Sequence, residues 1–243
     1  MTASPKNRSP KGRTDYYSGV MSCGDRMTQG EFHTLYEQCA EDFHAQLIDG
    51  TVFVREPIGT YHARSQGSLT VLLGVYEAAT PGVDSCGGAT VILGPKDEVE
   101  PVALLRILPA YGGQSGNISS RAKGKQFEYI KGAPEFVGEV AHSTKAIDLN
   151  LKLERYKQSG VIEYVVLCLD PMEVHWFDLR NETKLTSDND SVFRSVIFPG
   201  LWIHSGAVLK NDKQTLISTL NEGLASQKHA KFVKQLQAAK SAG

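Results

Sequence analysis

A carboxylate stands inside an apolar segment in the stretch EFVGEVAHSTKAIDLNLKLERY, which covers residues 135–156. The part EFVGEVA is typical of a strand in an α/β sheet that is covered on both faces, and it places Glu139 near the strand centre. A buried carboxylate is costly unless it is paired, protonated or bound to a metal ion. The alternative is a strand end that opens to solvent, and the strand pattern alone favours neither.

A helical pattern follows this strand and carries Asp148 and Lys152 four positions apart, so both side chains share one face. On their own, these two residues are typical of a surface ion pair. Lys152 becomes a candidate catalytic cation if the helix packs beside Glu139, and the short connection between strand and helix allows that packing. Glu139 and Lys152 are therefore the first candidates for catalysis.

The other motifs exclude several kinds of active site. The sequence has no HExxH zinc motif, no GxSxG nucleophile elbow and no GxGxxG dinucleotide motif after a strand. His62 and His142 are isolated histidines, of which His62 is kept as a further candidate. The glycine-rich segment GGQSG, residues 112–116, lacks the Lys-Ser/Thr of a phosphate-binding loop. The four cysteines include no CxxC pair, which is typical of free thiols in a reducing compartment.

The pattern of apolar residues predicts an α/β fold. Thr28 and Glu31 have capping-box spacing at the start of an N-terminal helix, and Asp49-Gly50 predicts a tight hairpin turn. A second helix, two strands, the strand with Glu139 and its helix, further strands and amphipathic C-terminal helices follow. We expect the polar, glycine-rich segment 109–131 to form a long loop. This order fits a mixed β-sheet flanked by helices.

Composition and charge are those of an ordinary globular protein. The chain has 243 residues, of which 41% are hydrophobic and 22% charged, and its formal net charge is −1. The longest apolar runs are far shorter than a membrane helix, and the basic N-terminus lacks the apolar core of a secretory signal. We therefore expect a cytoplasmic protein without membrane contact. Both ends are basic, and residues 1–26 have the composition of a disordered tail.

Seven segments occur in one order along the chain: MTQGEF, AQLIDGTVFV, YHARSQGSL, EPVALLRI, GAPEFVGEV, DLNLKLERYKQSGVIEYVV and VIFPGLWI. Together they resemble the bacterial putative restriction endonuclease family of the PD-(D/E)xK nuclease superfamily. The resemblance covers residues 27–209 and implies a restriction-endonuclease-like core there, with a mixed β-sheet flanked by helices. Residues 210–243 are then a C-terminal helical extension.

The resemblance also implies a Mg²⁺ or Mn²⁺ site for the hydrolysis of phosphodiester bonds in DNA. In that family an Asp after a Pro and a Glu on the next strand hold the cation, and a Lys comes from the following helix. The Glu matches Glu139 and the Lys matches Lys152. A divalent cation supplies an activated water and neutralises charge on the phosphate, and Mg²⁺ prefers oxygen ligands.

Two positions depart from the family pattern. Val102 stands where the family has Asp, and Gln46 stands where the family usually has Glu. Valine cannot bind a metal ion, and glutamine keeps the oxygen but loses the charge. Glu100 lies two residues before Val102, so an extended chain would put both on one face and make Glu100 the first substitute metal ligand. Asp49 and Asp148 are further candidates.

Two functions are consistent with these residues. The first is a Mg²⁺-dependent endonuclease in which a substitute acid completes the site. The second is a catalytically inactive nuclease-fold protein that binds nucleic acid or a protein partner. DNA is the expected partner, and a homodimer is a second expectation. Metal binding that is lost in Glu139→Ala would distinguish the first function from the second.

Overall fold

The computed structural model describes residues 20–40, 42–55 and 57–242 of the chain. The predicted tail, residues 1–26, lies outside the described residues up to position 19. Its last part is ordered, because Met21 is buried and Arg26 forms a β-bridge with Thr51. In chain order the elements are α1 (Gln29–Tyr36), β1 (Ala45–Ile48), β2 (Thr51–Val54), α2 (Thr60–Ala79), β3 (Val83–Cys86), β4 (Val91–Gly94), β5 (Asp97–Val99), β6 (Ala103–Ile107), a 3₁₀ turn (Pro109–Tyr111), β7 (Gly116–Ala122), β8 (Lys125–Lys131), β9 (Phe136–Ala141), a π-helical segment (Ile147–Lys152), α3 (Leu153–Ser159), β10 (Glu163–Leu169), β11 (Met172–Asp178), β12 (Thr183–Leu185), β13 (Val192–Arg194), β14 (Trp202–His204), α4 (Ser205–Lys210), α5 (Lys213–Leu224) and α6 (Gln227–Ala242).

The central sheet confirms the mixed α/β class. Its strand order is β12-β11-β10-β9-β6-β3, and β9 and β10 are parallel while the other neighbours are antiparallel. A parallel pair needs a crossover connection, which the π-helical segment and α3 supply here. Strand β9 therefore lies inside the sheet, with a paired strand on each side.

The two faces of β9 follow the alternation that the sequence predicts. Phe136 and Val140 belong to the apolar cluster that contains Leu69 of α2, whereas Val137 belongs to the cluster with Tyr156 of α3. Helices therefore cover both faces of the strand. Gly138 faces α2 closely, since a Cβ atom there would lie 2.6 Å from a methyl carbon of Leu69.

A second mixed sheet, which the sequence did not predict, has the strand order β2-β1-β5-β4-β8-β7. The predicted hairpin is its edge, and Asp49 and Gly50 at the turn both have positive φ angles, of 47° and 72°. This matches the preference of an Asp-Gly turn between two twisted strands. The predicted N-terminal helix is also confirmed, with the capping box of Thr28 and Glu31 complete.

Segment 109–131 is not the long loop that the sequence predicted. After the 3₁₀ turn it forms the antiparallel hairpin of β7 and β8, which turns at Lys123 and Gly124 in the left-handed conformation. Its strands lie at the edge of the sheet, and within them only Ile130 is buried. An exposed hairpin needs few apolar residues, so the apolar alternation that reveals other strands is absent.

The C-terminal helices are confirmed as amphipathic. Leu216 and Leu220 of α5, and Phe232 and Leu236 of α6, belong to the same apolar cluster as β9 and α2. Helix α6 also packs near the 3₁₀ turn after β6, with the Lys240 ammonium 5.1 Å from the centre of the Tyr111 ring. Within the described part of the chain, no helix is long and apolar enough to cross a membrane.

Candidate functional site

A cavity of about 460 Å³ lies where β9 ends. The hairpin of β1 and β2, the segment that follows it and the start of α2 form one side, and the residues between β9 and the π-helical segment form the other. Among its lining residues are the predicted candidates Gln46, His62, Val102, Glu139, Asp148 and Lys152. The fold therefore brings together residues that are far apart in sequence.

Glu139 and Lys152 meet in this cavity. The Lys152 ammonium donates a hydrogen bond of 2.8 Å to Oε1 of Glu139, and the Tyr156 hydroxyl donates one of 3.1 Å to the same oxygen. Glu139 is only 4% exposed and Lys152 only 6%. The strand therefore does not open to solvent at Glu139, and the carboxylate is buried and paired.

Asp148 is the second carboxylate of this site. Its Oδ1 atom lies 3.2 Å from the Lys152 ammonium, and its Oδ2 atom accepts a hydrogen bond of 2.5 Å from the Thr144 hydroxyl. Asp148 is 2% exposed, so the surface ion pair that the spacing suggested is instead a buried one. Both residues lie on the π-helical segment, a rare widening of the helix that is frequent at functional sites.

Burial and charge act on this triad of Glu139, Asp148 and Lys152 in opposite directions. Burial raises the pKa of Glu139, the Lys152 ammonium opposes this shift and the Asp148 carboxylate adds to it. Burial by itself would lower the pKa of Lys152, but the two carboxylates more than offset that effect and the pKa is raised. Two carboxylates and one ammonium therefore carry one net negative charge.

Val102 lies opposite Glu139. Strand β6 pairs with β9 through Ala103 and Gly138, and the same antiparallel register continued by one residue brings Val102 opposite Glu139. Both residues line the cavity. An Asp at position 102 would add a second strand-borne carboxylate to the wall of the cavity, whereas the valine adds only apolar surface.

Gln46 also lines the cavity and is nine-tenths buried, with 9% of its surface exposed. Its Oε1 atom has no hydrogen-bond partner among the described residues. A buried acceptor without a partner costs about 1–3 kcal/mol, so this oxygen marks a place where a donor or a cation would be stabilised.

Glu100 and Asp49 are not among the residues that line the cavity. The Glu100 carboxylate accepts a hydrogen bond from the Tyr36 hydroxyl and lies 3.5 Å from the Arg55 guanidinium. The expected substitution by Glu100 does not match this geometry, because the chain passes from the second sheet to the central sheet between β5 and β6. Asp49 lies at the hairpin turn with its carboxylate 3.5 Å from the Lys96 ammonium.

The sequence interpretation missed several residues of the site. Thr144 and Tyr156, which bind Asp148 and Glu139, each lie four positions from the partner's neighbour on the helix, a spacing that was available in the sequence. His142 lines the cavity together with His62, and burial followed by the charge of His142 lowers the pKa of His62. An imidazole with a lowered pKa is mostly neutral at pH 7.

Residues 30–207 match the family described as Uma2, putative restriction endonuclease. The match covers well over half of the chain, and it includes every residue of the triad. The chain belongs to this family. The assignment confirms the resemblance of the seven sequence segments.

A solved structure supports the same fold. The chain is similar to a putative nuclease belonging to DUF820 from Anabaena variabilis ATCC 29413, with a TM-score of 0.56 and 13% sequence identity. The similarity covers 76% of this chain and 98% of that protein. At this identity it supports the fold and nothing beyond it. No curated protein matches the chain.

The divalent cation that the restriction endonuclease family implies does not fit the residues present. In the described part of the chain, no group of three or more His, Cys, Asp or Glu side chains is placed to hold a metal ion. Glu139 and Asp148 both contact the Lys152 ammonium, which offsets one of their two charges. Val102 offers no ligand, so the donor set is incomplete.

Proposed function

We propose that this chain is a DNA-directed member of the restriction endonuclease family whose Mg²⁺-dependent phosphodiester hydrolysis is strongly reduced. The observation that carries this proposal is the pairing of Glu139 with Lys152 in a cavity whose opposite wall is Val102. The pair matches the Glu and Lys of the family's site. Loss of one group that stabilises the transition state reduces the rate by ~10²-fold or more.

Lys152 gives the cavity its one clear role toward a phosphate. Its ammonium is held by two carboxylates in a buried position, so its charge and its direction are fixed. A fixed ammonium can donate a hydrogen bond to a phosphate oxygen and offset part of its charge. Tyr156 and Thr144 hold the two carboxylates in place from the other side.

The charge of the cavity explains the weak cation site. With Glu139, Asp148 and Lys152 ionised, the cavity carries one net negative charge. An Asp at position 102 and a Glu at position 46 would add two more. A dication taken from water needs several carboxylate or other oxygen ligands, so these two substitutions decide its affinity.

The decisive experiment adds the missing charges. Mg²⁺ and Mn²⁺ are titrated calorimetrically into the wild type, Val102→Asp, and Val102→Asp combined with Gln46→Glu, and cleavage of labelled DNA is measured with the same proteins. We expect undetectable or weak binding in the wild type, stronger binding in Val102→Asp, and cleavage at least ~10²-fold faster in the double variant. Val71→Asp is the matched control, because Val71 is 46% exposed on α2 and does not line the cavity.

A second candidate function is a fully active hydrolase in which Asp148 takes the place of the missing Asp. The observation in its favour is that Asp148 and Glu139 both reach the same ammonium. It predicts Mn²⁺ binding and rapid cleavage by the wild type, both lost in Glu139→Ala and in Asp148→Ala. That result would replace the first proposal, and no gain on Val102→Asp would do so as well.

We also propose that the protein works in a reducing compartment, the cytoplasm. Its four cysteines, Cys23, Cys39, Cys86 and Cys168, are all free thiols. Disulfides are common in oxidising compartments and rare in the cytoplasm. Treatment with a thiol reagent under denaturing conditions, directly after cell lysis, should modify all four.

A further inference from the structure

The reactive side chains of the cavity lie at its base. Glu139, Asp148 and Lys152 are 4%, 2% and 6% exposed, respectively. A phosphodiester that contacts Lys152 must therefore enter the cavity, whose volume of about 460 Å³ is typical of a site for one small-molecule-sized group. A single nucleotide unit is of that size, whereas two paired strands are not.

The mouth of the cavity is apolar and aromatic. Ile58 is 44% exposed and Tyr61 is 42% exposed, and both line the cavity together with Phe53 and Pro57. Proteins that bind duplex DNA neutralise phosphates of both strands with Lys and Arg, and they need basic side chains around the contact. Exposed aromatic rings beside a cationic group are instead typical of sites where unpaired bases stack.

The basic C-terminal helix does not supply the missing charge at this mouth. Lys240 of α6 lies over Tyr111, which follows the far end of β6, whereas Val102 precedes the near end of the same strand. Helix α6 and the cavity are therefore at opposite ends of the central sheet. A duplex held by α6 would not have a phosphate in the cavity.

We infer that the cavity binds single-stranded DNA, with one nucleotide inserted, its base stacked on Tyr61 and its phosphate facing Lys152. This inference rests on the proposed function, since it names the form of DNA on which that cavity acts. An unpaired strand reaches the buried triad without any loss of base pairing. A duplex would first have to separate its strands, at a cost of about 1–2 kcal/mol for each base-pair step.

Two further features of the cavity fit such an occupant. Gln46 is nine-tenths buried, and its Oε1 atom, unpaired among the described residues, can accept a hydrogen bond from the exocyclic amine of a base. The first turn of α2 lines the cavity, contains no acidic residue and has no side-chain cap at Gly59. Its backbone N–H groups therefore add donors for a phosphate.

The test is fluorescence anisotropy in the presence of EDTA, with one labelled oligodeoxynucleotide offered either alone or annealed to its complement. EDTA makes the result independent of metal binding and of hydrolysis. We expect the single strand to bind at least about tenfold more tightly than the duplex. The variants are Tyr61→Leu, which removes the ring, and Tyr61→Phe, which keeps it, with Val71→Leu as a control on the same helix.

The expected pattern separates stacking from a structural role of Tyr61. The Tyr61 hydroxyl donates a hydrogen bond of 2.8 Å to the Leu209 carbonyl, so both variants lose the same structural contact. Stacking predicts about tenfold weaker binding in Tyr61→Leu and wild-type binding in Tyr61→Phe. Equal loss in both variants overturns the inference, and thermal melting verifies that each variant is folded.

Equal or tighter binding of the duplex also overturns the inference, and so does the absence of binding to either form. Neither result touches the proposed effect of Val102, which is read from metal titration and from the gain in cleavage by Val102→Asp. A failure of that gain, with selective single-strand binding intact, would instead show a protein that binds single strands and does not depend on a repaired metal site.

Discussion

The Lys152 ammonium lies 2.8 Å from the Glu139 carboxylate, although one comes from a strand and the other from the helical segment that follows it. Neither residue is more than 6% exposed. A buried ion pair contributes little to net stability, because the desolvation of both ions opposes their attraction. The pair is therefore better explained by a need for charge in this cavity than by a need for stability.

The same burial makes the pair sensitive to the loss of one partner. We expect Lys152→Met to lower the free energy of unfolding by about 3–5 kcal/mol, because Glu139 and Asp148 would remain buried beside each other without a cation. Urea denaturation measures this effect. Glu139→Gln combined with Lys152→Met should recover part of the loss, since it removes one of the unpaired charges.

The control for this prediction is Lys157→Met. Lys157 lies on α3, 3.1 Å from Glu182, and the two side chains are 37% and 68% exposed. An exposed pair is worth less than about 1 kcal/mol, so its loss should be small. If Lys157→Met and Lys152→Met destabilise the protein equally, the triad has no special energetic role.

The strand with Glu139 was predictable because its pattern is local. An apolar run interrupted by one acid defines both the strand and the position of the carboxylate, and the short helix ending at Gly160 returns the chain to the sheet. The Asp49-Gly50 hairpin and the capping box of α1 were predictable for the same reason. Each depends on residues within four positions of one another.

What could not be predicted depends on contacts between distant segments. Glu100 and Val102 are two residues apart, but the chain changes sheets between them, so their side chains do not share a face. The hairpin of β7 and β8 has polar strands that pairing within the second sheet stabilises. Backbone hydrogen bonds of this kind are independent of side-chain type and leave little trace in the sequence.

Glu163 is a buried carboxylate that lies outside the cavity. It accepts hydrogen bonds from the Trp176 indole, the Ser195 hydroxyl and the backbone N–H groups of Val196 and Ile197. We expect Glu163→Gln to lower the free energy of unfolding by about 2 kcal/mol, because the amide replaces one acceptor with a donor that faces other donors. Thermal or urea unfolding measures the loss.

The comparison for Glu163 is Glu173→Gln, since the side chain of Glu173 is 48% exposed and lies on the surface of β11. This variant should change stability by less than about 0.5 kcal/mol. A Glu163→Gln variant as stable as Glu173→Gln would contradict the role of Glu163 in fixing the segment after β13.

Gly138 tests how closely α2 packs on β9. A Cβ atom at this position would lie 2.6 Å from a methyl carbon of Leu69, which is fully buried. We expect Gly138→Ala to destabilise the protein by about 1–3 kcal/mol, because the core must shift to accept the methyl group. Gly74→Ala on α2 has no neighbouring atom within 4 Å of its Cβ and should stabilise the helix by up to about 1 kcal/mol.

Stability should also depend on pH through His33, which joins α1 to the second sheet. Its Nδ1 atom lies 2.8 Å from Glu98 and its Nε2 atom 3.4 Å from Glu37. The hydrogen bond to Glu98 raises the pKa of His33, burial opposes the shift, and the charges of Glu98 and Glu37 add to it. The folded protein therefore holds this proton more tightly than the unfolded chain.

The sign of the effect follows from this difference. The stabilisation is complete below the unfolded pKa of about 6.5 and is lost as the pH rises through the higher folded pKa. We expect His33→Gln to reduce the free energy of unfolding more at about pH 6 than at about pH 9. Urea denaturation of wild type and variant at both pH values measures the difference, and Glu98→Gln should remove most of it. An equal effect of His33→Gln at both pH values would show that His33 contributes through packing alone.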